Sequence, residues 1–111
     1  MDKNKLHMEH VIECIENIYS FTEDIDSFEV FEKDIKTIRA VERELETMSQ
    51  SIKDLGNTVH EISGVIDWKA IAGMRDILAH HYLVLSDAII WDVVHSDLPL
   101  LEKEFRRYMK M

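Results

Sequence analysis

From Phe28 to Leu55 the apolar residues Phe28, Phe31, Ile35, Ile38, Val41, Leu45, Met48, Ile52 and Leu55 recur at every third or fourth position. That is the repeat of one face of an α-helix; a strand, whose faces alternate every second residue, would scatter these side chains over both sides. Asp26, with Glu29 three residues later, predicts the start through a capping pair, and Gly56-Asn57 predicts the stop. A helix of about 28 residues at 1.5 Å each is a rod of about 40 Å. Its repeat, near 3.5, favours packing along a neighbouring helix at a shallow angle.

Such a rod needs other helices to bury its stripe, and the chain supplies them. Met8, Val11, Ile12, Ile15, Ile18 and Tyr19 predict a first helix from about Lys5 to Phe21. Val59, Ile62, Val65 and Ile66 fit a short helix broken at Gly64, or an ordered loop. Asp67 is a candidate N-cap for a helix carrying Trp68, Ile71, Met74, Leu78 and Tyr82. Another follows Ser86-Asp87, and a last one opens at Ser96-Asp97-Leu98-Pro99, with Pro99 in its first turn. Only three glycines and one proline occur in 111 residues, too few turn formers for a β-sandwich or barrel. The expectation is one all-α domain over residues 1–111, an up-and-down bundle of four to five helices. The second helix is long for a small bundle, and its far end, or a face of another helix, offers a place for a partner chain, so a dimer is the expectation.

The net charge of −9 is unevenly placed. Residues 1–67 hold 16 acids and 7 bases, whereas residues 68–111 hold 6 of each. A broad nucleic-acid-attracting field is excluded, but a phosphate-handling site in the second half is not. The single cysteine, Cys14, permits no intrachain disulfide and no multi-cysteine zinc site, which fits a reducing compartment. No apolar run approaches the roughly 18–20 residues of a membrane span, and Met1-Asp2-Lys3-Asn4-Lys5 leads into no signal-peptide core. The expectation is a cytoplasmic protein without a membrane partner.

Met74-Arg75-Asp76-Ile77-Leu78-Ala79-His80-His81-Tyr82 gathers a guanidinium, a carboxylate, two imidazoles and a phenol. Arg75 can grip a phosphate through two N–H groups at once, and a histidine can move a proton near neutral pH. On an ideal helix Arg75 and His80 are about 140° apart and do not share a face. Either the helix ends near Ala79 or the two reach a common cleft from its two sides. The plainer alternative is a surface pair of Asp76 and His80 with Tyr82 half-buried. His7 and His10, three apart, have metal-ligand spacing, but on an acidic N-terminal helix they read better as solvated, so no metal and no cofactor are expected. His60 and His95 stand isolated and read as structural. Cys14 reads as a small buried residue with no basic sequence neighbour to activate it. Lys103, Arg106, Arg107 and Lys110 form the polar side of the last helix: a solvated face, or a contact patch for an RNA backbone.

Trp68, then Ile71-Ala72-Gly73-Met74-Arg75-Asp76, His80-His81-Tyr82, Ile90-Trp91 and Leu98-Pro99 resemble the HepT-like branch of the HEPN superfamily. The specific element is the Arg-x4-His-x-Tyr string, with Trp68 seven residues ahead of it. The first half matches through Phe28, Val41-Glu42-Arg43 and its helix lengths. One stretch departs: many relatives carry Gly-Glu-Ala late in helix 2, where this chain reads Leu45-Glu46-Thr47-Met48-Ser49. The resemblance implies an all-α homodimer with its site at or near the subunit interface. It implies a metal-independent endoribonuclease, the toxin of a toxin–antitoxin pair whose antitoxin is a minimal nucleotidyltransferase (MntA-like). By the same resemblance Arg75 and His80 are the catalytic pair, Asp76 the polar residue beside the arginine, and Tyr82 the acceptor of a silencing AMP. His81 fills a variable position and inherits no role. A second reading keeps the partner without the chemistry: a nucleotide-binding, regulatory or substrate subunit of the nucleotidyltransferase, which the N-terminal acidity favours. A purely scaffolding dimer would leave the Arg75, Asp76, His80 and Tyr82 cluster unexplained.

Overall fold

A computed structural model describes residues 2–79 and 87–111, and every regular element among them is helical. The first helix, α1 (Lys3–Thr22), is capped by Asp2, whose side chain accepts the Asn4 N–H at 2.9 Å. It buries Met8, Val11, Ile12, Ile15 and Ile18, the stripe expected from the spacing.

The second predicted helix is not one rod. It is a single turn, α2 (Phe28–Phe31), then a break, then α3 (Ile35–Leu55). Side-chain hydrogen bonding makes the break. Asp34 takes a non-helical backbone, and its two carboxylate oxygens accept the Thr37 N–H at 3.1 Å and the Thr37 hydroxyl at 2.7 Å. These bonds hold the Asp34 carboxyl below its ordinary pKa. The cap of α2 is Ser27, whose hydroxyl accepts the Val30 N–H, rather than the expected Asp26–Glu29 pair. Phe31 is fully buried, with its ring centroid 5.1 Å from that of Trp91, whereas Ile35, expected in the stripe, is 67% exposed. The remaining 21-residue α3 is about 31 Å long.

Helices α1 and α3 lie antiparallel, as four cross-links from α1, three to α3 and one to the turn that follows it, show by running in opposite sequence directions. They join Asn4 to Thr58, His10 to Ser51, Cys14 to Thr47 and Asn17 to Glu44. Gly56 ends α3 with φ +59°, a backbone state that side chains disfavour, as the sequence predicts. A 3-10 turn (Gly56–Thr58) and the short α4 (Val59–Ile62) follow, then α5 (Trp68–Ala79), which packs on α3.

The two C-terminal helices run into one another. Helix α6 (Asp87–Asp92) passes through a π-helical turn (Val93–Asp97) into α7 (Leu98–Met109). The sequence predicts a fresh start at Ser96-Asp97, and the π turn is what joins the two. Pro99 has no N–H and its ring crowds the carbonyl four residues back, so the turn widens and Leu98 N–H reaches Val93 O. Leu98, Leu101 and Phe105 of α7 are buried in the core shared with α1, α3 and α5. Among the described residues no helix is long and apolar enough to cross a membrane.

Candidate functional site

Helix α5 is set by its first turn. Asp67 accepts the Ala70 N–H on its carboxylate at 3.0 Å and the Ile71 N–H on its carbonyl at 3.1 Å, as its N-cap role predicts. Ile71 and Leu78 are buried and Met74 packs against the core. Trp68, Ala72, Arg75 and Asp76, offset around the same helix, line a cleft of about 340 Å³. Ser49, Ile52 and Lys53 of α3, with Gly56 and Val59 beyond it, form the other wall. Arg75 is half-buried and makes no ion pair among the described residues, while Asp76 beside it is exposed. A guanidinium held this way has its fork free for an anion.

The wall at Trp68 is braced from behind. Its indole N–H donates to Ser63 O at 3.1 Å, and its ring meets Phe105 edge-on at 6.1 Å. The Ser63 hydroxyl donates to Glu104 at 2.7 Å, and Arg107 donates to the other Glu104 oxygen at 3.0 Å and to Ile62 O at 3.2 Å. The hydrogen bond from Ser63, then that from Arg107, holds the Glu104 carboxyl below its ordinary pKa. Glu104 is buried, yet both its oxygens have partners.

Other faces of α5 and its neighbours lead elsewhere. A second cleft, of about 240 Å³, is lined by Leu45, Ile71, Met74, Leu78, Ile90 and Leu101, with Asp67 and Asp97 as its acidic groups. Burial and the neighbouring Asp92 push the Asp97 carboxyl up.

Cys14 is buried and does have a basic neighbour in space. Its sulfur lies 3.5 Å from His10 Nε2 and 3.5 Å from Thr47 Oγ1, and His10 Nδ1 bonds Ser51 Oγ at 2.6 Å. Burial nonetheless dominates and pushes the thiol to about 11, so it stays protonated at neutral pH. His95 lies tilted against Trp91, with ring centroids 4.0 Å apart, and donates from Nδ1 to Trp91 O at 2.8 Å. Among the described residues no three metal-ligating side chains cluster.

The last helix pairs its two arginines with acids. Arg106 bonds Glu102 at 3.0 Å and Glu16 of α1 at 3.2 Å, and Arg107 bonds Glu104. Lys103 is exposed, and Lys110 lines a shallow groove with Arg106, Glu9 and Ile12. These residues therefore do not share the Arg75 cleft. His80, His81 and Tyr82 lie outside the described residues.

Among the charged and aromatic residues of the cleft, Lys53 and Trp68 are those that motif reading does not assign a site role. Trp68 marks the resemblance without a function, and Lys53 comes to the cleft only through the packing of α3 on α5. A weak signal existed: Ser49, Ile52, Lys53 and Gly56 fall at helical spacing on one face.

The family model for Ribonuclease HepT-like proteins matches residues 11–108, which span Arg75 and both walls of its cleft. The chain belongs to the HepT-like ribonuclease family. Among curated proteins it is 35% identical over 104 residues to "Putative RNase TTE0752" of Caldanaerobacter subterraneus subsp. tengcongensis, covering 94% of this chain and 92% of that one. It is 36% identical over 107 residues to "Probable ribonuclease HepT" of Thermococcus cleftensis, covering 96% of each. It also matches "Gamma-glutamylcyclotransferase and putative RNase MJ0434" of Methanocaldococcus jannaschii at 33% identity, over 96% of this chain and 47% of that longer protein. No solved structure matches the chain. The helical architecture agrees with membership of the HepT-like family.

Proposed function

We propose that this protein is a homodimeric endoribonuclease toxin of the HepT type, with Arg75 and His80 as its catalytic pair. The observation that carries the reading is Arg75: half-buried, in a cleft, with no ion-pair partner among the described residues, inside a HepT-like match.

RNA supplies its own nucleophile, so the protein's residues need to move only protons and charge. A base takes the proton of a 2′-hydroxyl, the 2′-oxygen bonds to the adjacent phosphorus, and the bond from phosphorus to the 5′-oxygen breaks. An acid donates a proton to that leaving oxygen, giving a 2′,3′-cyclic phosphate and a 5′-hydroxyl. Arg75 stabilises the charge that grows on the phosphoryl oxygens. A two-fold dimer brings two His80 imidazoles to one site, so base and acid come from different subunits. The cycle consumes no metal. Transfer of AMP to Tyr82 by an MntA-like nucleotidyltransferase places a bulky anion beside the cleft and repels RNA.

The test is cleavage of a mixed RNA in excess chelator by wild type and His80→Ala, with intact mass first confirming that neither carries AMP. Cyclic-phosphate ends from wild type alone are expected. No cleavage by unmodified, dimeric wild type would turn the assignment to a non-catalytic nucleotide-binding or regulatory subunit.

A further inference from the structure

The chain carries a net charge of −9, so RNA must be held by local rather than overall charge. Most of its arginines are compensated within the fold: Arg39 by Glu42, Arg43 by Glu46, Arg106 by Glu102 and Glu16, Arg107 by Glu104. The Arg75 cleft is different. Its second cation is Lys53, on the opposite wall, exposed and without an ion pair among the described residues. The adjacent carboxylate, Asp54, is occupied by the amide of Gln50 at 2.9 Å. Asp76 is the one carboxylate of the lining, so the described cleft holds two cations against one anion.

The two cations differ in kind. A guanidinium grips one phosphate in a fixed fork, whereas an ammonium on a four-carbon stem follows a phosphate as a mobile point charge. Trp68 lines the same cleft, partly buried and pinned through Ser63, and offers a surface to an unpaired base. The arrangement fits a single strand crossing from α5 to α3.

We propose that Lys53 is a second phosphate-binding residue of the Arg75 cleft, holding the phosphate next to the scissile one on the same RNA strand. The inference rests on the reading that RNA is the ligand of this cleft. The probe is a fluorescein-labelled 2′-O-methyl oligouridylate, which has no 2′-hydroxyl to attack. Its binding to wild type, Lys53→Gln, Lys53→Arg and Lys33→Gln is followed by anisotropy across a salt series. For a single strand each phosphate contact adds about 0.7 to the slope of log affinity against log salt. Lys53→Gln should lower that slope by about 0.7, Lys53→Arg should restore it, and Lys33→Gln, in the turn before α3, should leave it unchanged. With a cleavable RNA, Lys53→Gln should raise KM and leave kcat near wild type. Circular dichroism confirms that each variant is folded. A wild-type slope and KM in Lys53→Gln, with cleavage intact, would overturn the Lys53 assignment and leave the ribonuclease reading standing. A Lys53-dependent slope without any cleavage by wild type would keep Lys53 and overturn the ribonuclease. No binding by wild type would overturn both.

Discussion

Replacing Phe105 with alanine should remove about 3–5 kcal/mol of folding stability, the usual cost of emptying a buried aromatic site. Phe105 is fully buried in the core, and its ring supports Trp68 edge-on at 6.1 Å, which adds about 0.5–1.5 kcal/mol to area burial alone. Phe105 lies on α7, which packs against α1 and α4, so the side chain is surrounded by helices. With a urea dependence of about 2 kcal/mol per molar, the unfolding midpoint should fall by about 2 M. The paired control is Leu100→Ala, five positions earlier on the same helix but 40% exposed, which should cost under about 1 kcal/mol. The assay is urea unfolding followed by circular dichroism and tryptophan fluorescence. Protein concentration is held fixed, because any self-association would make the midpoint depend on it. A loss under about 1 kcal/mol for Phe105→Ala, or equal losses for both variants, would refute the placement of α7 behind the cleft wall.

Three further outcomes follow from particular contacts. Asp67→Ala should cost about 1 kcal/mol by freeing the Ala70 N–H, and Asp67→Asn should restore most of it, both read from urea midpoints; equal losses would remove the cap. Glu104 has a folded pKa held below its unfolded one, so its contribution is full above the ordinary glutamate range and disappears as pH falls through the depressed folded value. Stability of Glu104→Gln measured from neutral to acid pH should therefore fall less steeply than wild type, and parallel curves would contradict the network. With its pKa near 11, Cys14 has about a thousandth of its thiol ionised at pH 8, so iodoacetamide should label the native protein slowly and the urea-unfolded protein fast. Fast native labelling would contradict its burial.

Helical class was legible because the apolar repeat of α1 and α3 is the signature of one buried helix face, and the structure buries those residues. Where the repeat failed, a local hydrogen bond overrode it. Phe28 and Phe31 keep helical spacing with Ile38, so the stripe runs through a break that Asp34 and Thr37 impose, and Ile35 is left outside. Pro99 marked the last helix correctly, but whether a proline breaks a helix or only widens it depends on the turn before it, which composition does not encode. Within the site, Arg75 and Asp76 stood out because five ionisable or aromatic side chains crowd one segment. Lys53 did not, since its meaning depends on which face of α3 meets α5 and on Asp54 being occupied elsewhere. The polar face of α7 read as a solvated face or an RNA contact patch; the Glu102 partner of Arg106 is four residues away on the same helix, but its second partner, Glu16, comes from α1, which one helix's sequence does not show.

The direct test of the Arg75 cleft as a ribonuclease site is kcat for one RNA, measured for wild type, Arg75→Gln and Arg39→Gln, all confirmed folded, dimeric and free of AMP. Both variants lose one positive charge, but Arg39 is an exposed α3 residue paired with Glu42 and does not line the cleft. Loss of a group that stabilises developing phosphoryl charge costs about 100- to 1,000-fold, so Arg75→Gln should fall by that factor while Arg39→Gln stays near wild type. Wild-type kcat in Arg75→Gln, or equal losses in the two variants, would contradict a catalytic Arg75.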